Sequence, residues 1–367
     1  MANDLLFQLA LSEVSQIGCV QAKLLIEHFG DAASIFNAKE SQLKTLDGIG
    51  EIRAKKIKSF SNFKKAEEEI AFIEKYKIQP LFITDKNYPQ RLLNCYDSPT
   101  MLFYKGDADL NVSKIISIVG TRSNTNYAKQ IVEKLITELA SQNILIISGM
   151  ALGVDALAHK NAIKNELSTI GVLAHGLDQI YPSTHANLAK EMLKNNGGLL
   201  TEFQSKTKPD KHNFPIRNRI VAGISDATIV IETDIKGGSL ITAELANGYN
   251  RDVFAVPGKL TDKKSSGCNY LIRNNKAILF TEAKELLAVM GWEEKTKAKT
   301  KKQKTLFVEF SKEEKIIVDL LQEQELVSID ELKLKSNLSN SIFATAMLNL
   351  ELQGIVNSLP GKIYTLS

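Results

Sequence analysis

The segment KHNFPIRNRIVAG (residues 211–223) sets an aromatic ring, two arginines and an asparagine among apolar residues that should be buried. Arginine is scarce in this chain. Only seven occur (Arg53, Arg91, Arg122, Arg217, Arg219, Arg251 and Arg273) against a large excess of lysine. Two of them within three residues imply a need for planar, bidentate geometry rather than for bulk charge. The combination fits a nucleic-acid phosphate backbone with a base stacked on Phe214. It equally fits a buried arginine pair that holds a helix N-terminus to neighbouring loops.

Three further clusters couple glycines to hydroxyls or charge. They are Gly120-Thr121-Arg122 after the run IISIV (115–119), Ser148-Gly149 through Gly153 to Asp155 after ILIIS (144–148), and Lys236-Gly237-Gly238-Ser239 after ATIVIE (227–232). Glycine lets a backbone come close to a ligand, and the start of a helix favours an anion. Several such loops on one edge of a sheet imply a phosphate-rich ligand. Neither Gly-x-Gly-x-x-Gly nor Gly-x-x-x-x-Gly-Lys-Ser/Thr occurs, so neither a dinucleotide fold nor an ATPase motor is supported. The carboxylates nearest the loops are Asp155, Glu202 and Glu244. A hydrolase would need one of them free as acid or base, whereas helix capping or pairing with Arg122, Arg217 or Arg219 would occupy Asp155 and Glu244. The three cysteines (Cys19, Cys95, Cys268) and five histidines (His28, His159, His175, His185, His212) lack metal-ligand spacing, so neither a metal nor another cofactor is expected.

These loops need a frame. IISIV, ILIIS, TIGVLA (169–174), LLTE (199–202), ATIVIE and VFAVP (253–257) alternate with helical stretches, the pattern of a doubly wound parallel sheet covered by helices on both faces. In such sheets ligands bind at the carboxyl ends of the strands. Residues 78–110 carry strand and turn signals that extend the domain at its N-terminal side. Residues 1–76 read as helical, with two related units around Gly18 and around Gly48-Ile49-Gly50, each setting a glycine turn before a helix. This resembles a tandem helix-hairpin-helix, SAM-like module; its first unit has Val20 where the second keeps a glycine. Residues 306–367 predict three helices and two short strands around Pro360-Gly361, a winged-helix-like domain.

The chain is 367 residues long with 44% hydrophobic and 24% charged residues, enough for two or three cores. No run is long and apolar enough to insert in a membrane and no secretory signal is visible, so the expected location is the cytoplasm. The net charge of +4 comes from one tract: KTKAKTKKQK (295–304) holds six lysines, and without them 40 basic residues face 42 acidic ones. The tract is read as a Lys-rich linker (293–305) between a core at 77–292 and the C-terminal domain.

Taken in order, IVGTR (118–122), SGMALGVDALAH (148–159), GGLLTE (197–202), FPIRNRIVAGISDATIVIE (214–232), GGSLITAELA (237–246), RDVFAVPG (251–258) and SGCNYLI (266–272) resemble the DNA-processing protein A (DprA, or Smf) family. The resemblance covers nearly the whole chain. It implies an extended Rossmann-like core between helical and winged-helix modules, and a protein that is not an enzyme. It further implies sequence-independent binding and protection of single-stranded DNA, and loading of the RecA recombinase onto it during natural transformation. The DNA contacts it implies fall on Arg122, Ser148, Gly149, Lys211, Phe214, Arg217, Asn218 and Arg219. The glycine loops add Gly120, Gly153, Gly237, Gly238 and Ser239. It also implies a homodimer through the C-terminal edge of the core, about residues 269–287, where this chain departs from the family by reading Asn275-Lys276-Ala277.

Two other readings compete. GGSLITAE partly mimics the loop of lysine-decarboxylase-like nucleotide phosphoribohydrolases, although its spacing to Glu244 differs from theirs. A transcription-factor reading would rest on the C-terminal domain, whose candidate recognition helix SNSIFATAMLNLEL (339–352) has no Lys or Arg to reach phosphates or guanine, so protein contact suits it better.

Overall fold

The structure, a computed structural model, describes residues 2–293, 310–359 and 361–366. Residues 294–305 of the Lys-rich tract lie outside them. The chain forms two compact units, residues 1–281 and 282–367.

The first unit opens with six helices: α1 (Ala2–Glu13), α2 (Cys19–Phe29), α3 (Ala32–Asn37), α4 (Glu40–Lys44), α5 (Gly50–Lys58) and α6 (Phe63–Tyr76). Gly48 and Gly50 sit at φ of +82° and +60°, so the second hairpin turn needs both glycines. The Arg53 guanidinium donates to the carbonyls of Gly48 (2.8 Å) and Gln16 (3.1 Å), joining the two hairpins.

A nine-stranded sheet follows. Its strands are β1 (Gln79–Phe82), β2 (Met101–Gly106), β3 (Ile115–Val119), β4 (Leu145–Gly149), β5 (Thr169–Val172), β6 (Gly198–Thr201), β7 (Ala227–Val230), β8 (Asp252–Ala255) and β9 (Ile278–Leu279). Their spatial order is β1-β2-β6-β5-β4-β3-β7-β8-β9. The β1–β2 and β2–β6 pairs are antiparallel and all others parallel. Every residue of β3, β4, β5, β6 and β7 is buried, as strands covered on both faces must be. The six runs read from sequence are β3 to β8; the edge strand β9, two residues long, was missed because so short a run has no periodicity to detect.

The helices between the strands are α7 (Gln90–Leu93), which follows β1, and the crossover helices α8 (Asn126–Leu139), α9 (Val154–Lys164), α10 (Ala186–Lys194), α11 (Asn213–Gly223), α12 (Gly238–Gly248) and α13 (Ser266–Arg273). In α8, Thr125 caps the N-terminus by accepting from the Ala128 amide. Ala128, Val132, Leu135, Ile136 and Leu139 then bury one stripe. The chain steps outward from β3 to β6, then returns through α11 to the other side of β3. That reversal makes the crevice beyond β3 and β7 the topological switch point. One apolar cluster runs from Leu9 and Leu25 of the helical module through Tyr88 and Leu102 to Ile220, so module and sheet share a continuous core.

The second unit holds α14 (Ala283–Val289), α15 (Lys312–Glu323), α16 (Ile329–Ser336) and α17 (Asn340–Leu352). Its sheet consists of β10 (Val327–Ser328), β11 (Val356–Leu359) and β12 (Ile363–Leu366) in the order β10-β12-β11. Ile317, Leu321, Leu332, Phe343, Met347 and Leu350 form its core. This is the winged helix expected from sequence, with β10 as an added strand. Among the described residues no helix is long and apolar enough to cross a membrane.

Candidate nucleic-acid interface

A cleft of about 520 Å³ opens at the switch point. Ten of the thirteen residues singled out in the sequence line it: Gly120, Arg122, Gly149, Lys211, Phe214, Arg217, Asn218, Gly237, Gly238 and Ser239. Ser148, Gly153 and Arg219 do not.

The local chemistry explains the division. Ser148 is wholly buried and its hydroxyl donates to the Ile118 carbonyl at 2.6 Å, bracing β4 against β3. Gly153, at φ +83°, passes directly against the Thr121 and Arg122 carbonyls, where no side chain would fit. The amides of that loop are used inside the protein. Val154 N–H donates to the Thr121 carbonyl (3.1 Å) and Ala151 N–H to Asp155 Oδ2 (3.2 Å). These two amides are therefore not available to an anion. The start of α12 is open: a side chain at Gly238 would meet nothing within 4 Å, and Gly237-Gly238-Ser239 present the positive end of the helix to the cleft.

Phe214 lies in the first turn of α11, and Arg122 stacks over its ring with 5.3 Å from guanidinium carbon to ring centre. Tyr181, half exposed, stands nearby, its ring tilted at 46° and 6.1 Å from that of Phe214. The row Arg122–Phe214–Tyr181 thus offers π-faces next to exposed cationic groups, among them Lys211. Tyr181 was missed in the sequence, although its position shortly after the TIGVLA strand, on the ligand-binding edge, was a usable signal.

Arg217 forms the floor of the cleft. It is 6% exposed, donates through Nη1 to the Val172 carbonyl and through Nε to Asn218 Oδ1 (3.2 Å). Burial opposes its charge, which Asp155 supports. Burial likewise raises the Asp155 carboxyl pKa, against the pull of Arg217. Behind them His159 is fully buried between Thr169 Oγ1 and the Gly149 carbonyl, both at 2.7 Å, and burial lowers its pKa to about 4. This imidazole is neutral and pins the loop that ends β4.

Arg219 points elsewhere. Its guanidinium pairs with Glu202, donates to the Asp97 carbonyl and reaches Cys19 Sγ at 3.3 Å, lining a separate cavity between the helical module and the ends of β2 and β6. Arg219 is thus held by partners outside the cleft. Of the other acids near the strand ends, Asp234 is exposed on the rim of the cleft, and two are engaged. Glu232 accepts from the Thr125 amide (3.0 Å) and hydroxyl, and Glu244 pairs with Lys276 at 2.6 Å.

The helical module also reaches toward this site, which the sequence did not reveal. Glu69 on α6, 5% exposed, accepts from the Ser205 amide (3.0 Å) and hydroxyl, while neighbouring Glu68 pairs with Lys206 at 2.9 Å. Ser205 and Lys206 belong to the segment joining β6 to α11, which continues into Lys211 and Phe214.

Known proteins share this architecture. The sequence signature of the family described as DNA recombination-mediator protein A matches residues 79–291. A SAM-like helix-hairpin-helix tandem matches residues 8–61, and the DprA winged helix domain residues 298–362. Protein Smf of Synechocystis is 35% identical over 299 residues, 79% of this chain and 74% of that protein. DNA processing protein DprA of Bacillus subtilis is 42% identical over 222 residues, 60% of this chain and 74% of the relative. Among solved structures, DNA processing protein A of Streptococcus pneumoniae superposes with a TM-score of 0.63 at 31% identity, covering 77% of this chain and 95% of that one. The Helicobacter pylori protein, whose structure describes its single-stranded DNA binding mode, gives 0.53 at 33% identity, covering 58% of this chain and 94% of that one.

Proposed function

This chain belongs to the DNA recombination-mediator protein A family, and from that premise we propose that it binds and protects single-stranded DNA, without sequence preference, in the cleft at the switch point. In this reading it then loads the RecA recombinase onto the strand during natural transformation, in the cytoplasm, as a homodimer joined near residues 269–287. The observation that carries the reading is the row Arg122–Phe214–Tyr181 beside Lys211 and the open start of α12. Phosphates meet cations and helix amides there, and a base meets a π-face that accepts any base. The homodimer is supported by β9, an edge strand whose Ile278 and Leu279 are 42% and 44% exposed, since an open apolar edge is a template for pairing.

We read the protein as a binder rather than an enzyme. The nucleotide-hydrolase alternative would need a free carboxylate, and the three named from the sequence are engaged: Asp155 with Ala151 N–H, Glu202 with Arg219, and Glu244 with Lys276. Fluorescence anisotropy of labelled homopolymers tests the proposal. Wild type should prefer single strands over duplex, with affinity falling steeply in salt and varying little with base. Phe214→Ala should weaken binding by roughly 1–3 kcal/mol, about 5- to 150-fold. Equal, weak binding by wild type and by Arg122→Ala and Phe214→Ala variants would defeat it and point to a nucleotide substrate.

A further inference from the structure

The loop after β8, residues 257–265, has no assigned role, yet it carries Lys259, Lys263 and Lys264 within six positions. It is fastened to one rim of the cleft. Lys264 Nζ donates to the carbonyl of Ser123, the residue after Arg122, and Tyr127 Oη donates to the Pro257 carbonyl at 3.0 Å. On the other rim it is α13, which follows the loop, that is held, Gly267 N–H donating to the Thr233 carbonyl at 2.8 Å. In the sheet, β8 lies two strands from β3, so its loop stands about 10 Å along the edge from the one holding Arg122.

Charge and exposure set this loop apart. Lys259 and Lys263 are exposed, and among the described residues neither is within ion-pair distance of a carboxylate. The one acid inside the loop, Asp262, accepts from the Lys264 amide at 2.9 Å and so fixes the turn. Asp234 on the neighbouring rim is exposed. Between the lysines, Leu260 is 94% exposed, more than any other large hydrophobic residue described. A leucine this exposed contributes little packing to the fold. It matches the alternation of phosphate and base along a single strand.

We propose that a single strand leaving the cleft past Arg122 continues over this loop, with Lys259 and Lys263 on its phosphates and Leu260 against a base. The inference rests on the cleft being a single-strand site. Its test therefore includes Arg122→Ala, which reports on the cleft alone. The whole 367-residue chain is titrated with labelled dT oligonucleotides of about four and about twelve nucleotides at several salt concentrations. The variants are Lys259→Gln/Lys263→Gln and Leu260→Ser, all at exposed positions.

With the long oligonucleotide, the double variant should lower the slope of log affinity against log salt by about 1.4, near 0.7 for each phosphate that is no longer neutralised. Leu260→Ser should weaken the long oligonucleotide without changing that slope. Neither should alter binding of the short one, which Arg122→Ala should abolish. If the double variant keeps the full wild-type slope while Arg122→Ala abolishes binding, the cleft stands and the loop is no part of the path. If wild type binds neither oligonucleotide, the cleft reading fails and this inference with it.

Discussion

Replacing Arg219 with alanine separates the two roles that its sequence neighbourhood suggested. In the folded protein the Arg219 and Glu202 side chains are only 15% and 13% exposed, and the other Glu202 oxygen, Oε1, has no hydrogen-bond partner. Removing the guanidinium leaves a buried carboxylate with nothing to offset its lost hydration, and burial already raises that carboxyl's pKa. Breaking one side of a buried pair costs about 3–5 kcal/mol. The donation to the Asp97 carbonyl disappears as well. At about 2–4 °C per kcal/mol for a unit of this size, the first unit should melt roughly 6–20 °C lower. Circular dichroism on heating measures the drop. A second variant, Arg219→Met/Glu202→Leu, should recover most of it, because both charges leave together and the volume is kept. Single-strand binding by the folded Arg219→Ala protein should retain its salt slope. A melting point within about 2 °C of wild type together with a reduced salt slope would refute the argument, since it would mean that Arg219 holds phosphate rather than Glu202.

Three further outcomes follow from the geometry. Glu69→Ala removes the acceptor of the Ser205 amide and hydroxyl, so amides of residues 203–207 should exchange with solvent faster, at a stability cost of about 1–3 kcal/mol; unchanged exchange there would remove the module's bracing role. His159 is buried neutral with its pKa lowered to about 4, whereas the unfolded chain takes up that proton near 6.5, so its contribution is complete above about pH 6.5 and is lost as pH falls toward 4. It is worth about 3 kcal/mol over that window, and denaturant midpoints at pH 7.5, 6 and 5 should fall in wild type and less in His159→Gln, a flat wild-type profile being the contrary result. Gly149→Ala would set a methyl 2.5 Å from both Arg217 Nη1 and Asp155 Oδ2, and because Arg217 is buried and cannot retreat, about 1–3 kcal/mol of stability should be lost, as measured by urea unfolding.

The strand-helix alternation from Ile115 to Pro257 was legible because each buried parallel strand is a short, local apolar run, and such runs need no knowledge of their neighbours. The glycine loops were legible for the same reason, and ten of thirteen candidate residues meet in one cleft because a doubly wound sheet brings the carboxyl ends of its parallel strands to one edge. The exceptions depend on distance in the chain. Tyr181 reaches Phe214 and Glu69 reaches Ser205 across long separations that no local pattern encodes.

Arg217 and Arg219 show most clearly where sequence reading stops. As neighbours in a motif they look like one device, but two residues apart on a helix is about 200° of turn. One guanidinium therefore goes under the cleft to Val172, and the other goes to Glu202, Asp97 and Cys19. The sequence by itself determined the helix-hairpin-helix, α/β and winged-helix order of the chain and which loops could approach an anion. Only the tertiary structure decided which arginine faces the ligand side, because that depends on what packs against each face of α11.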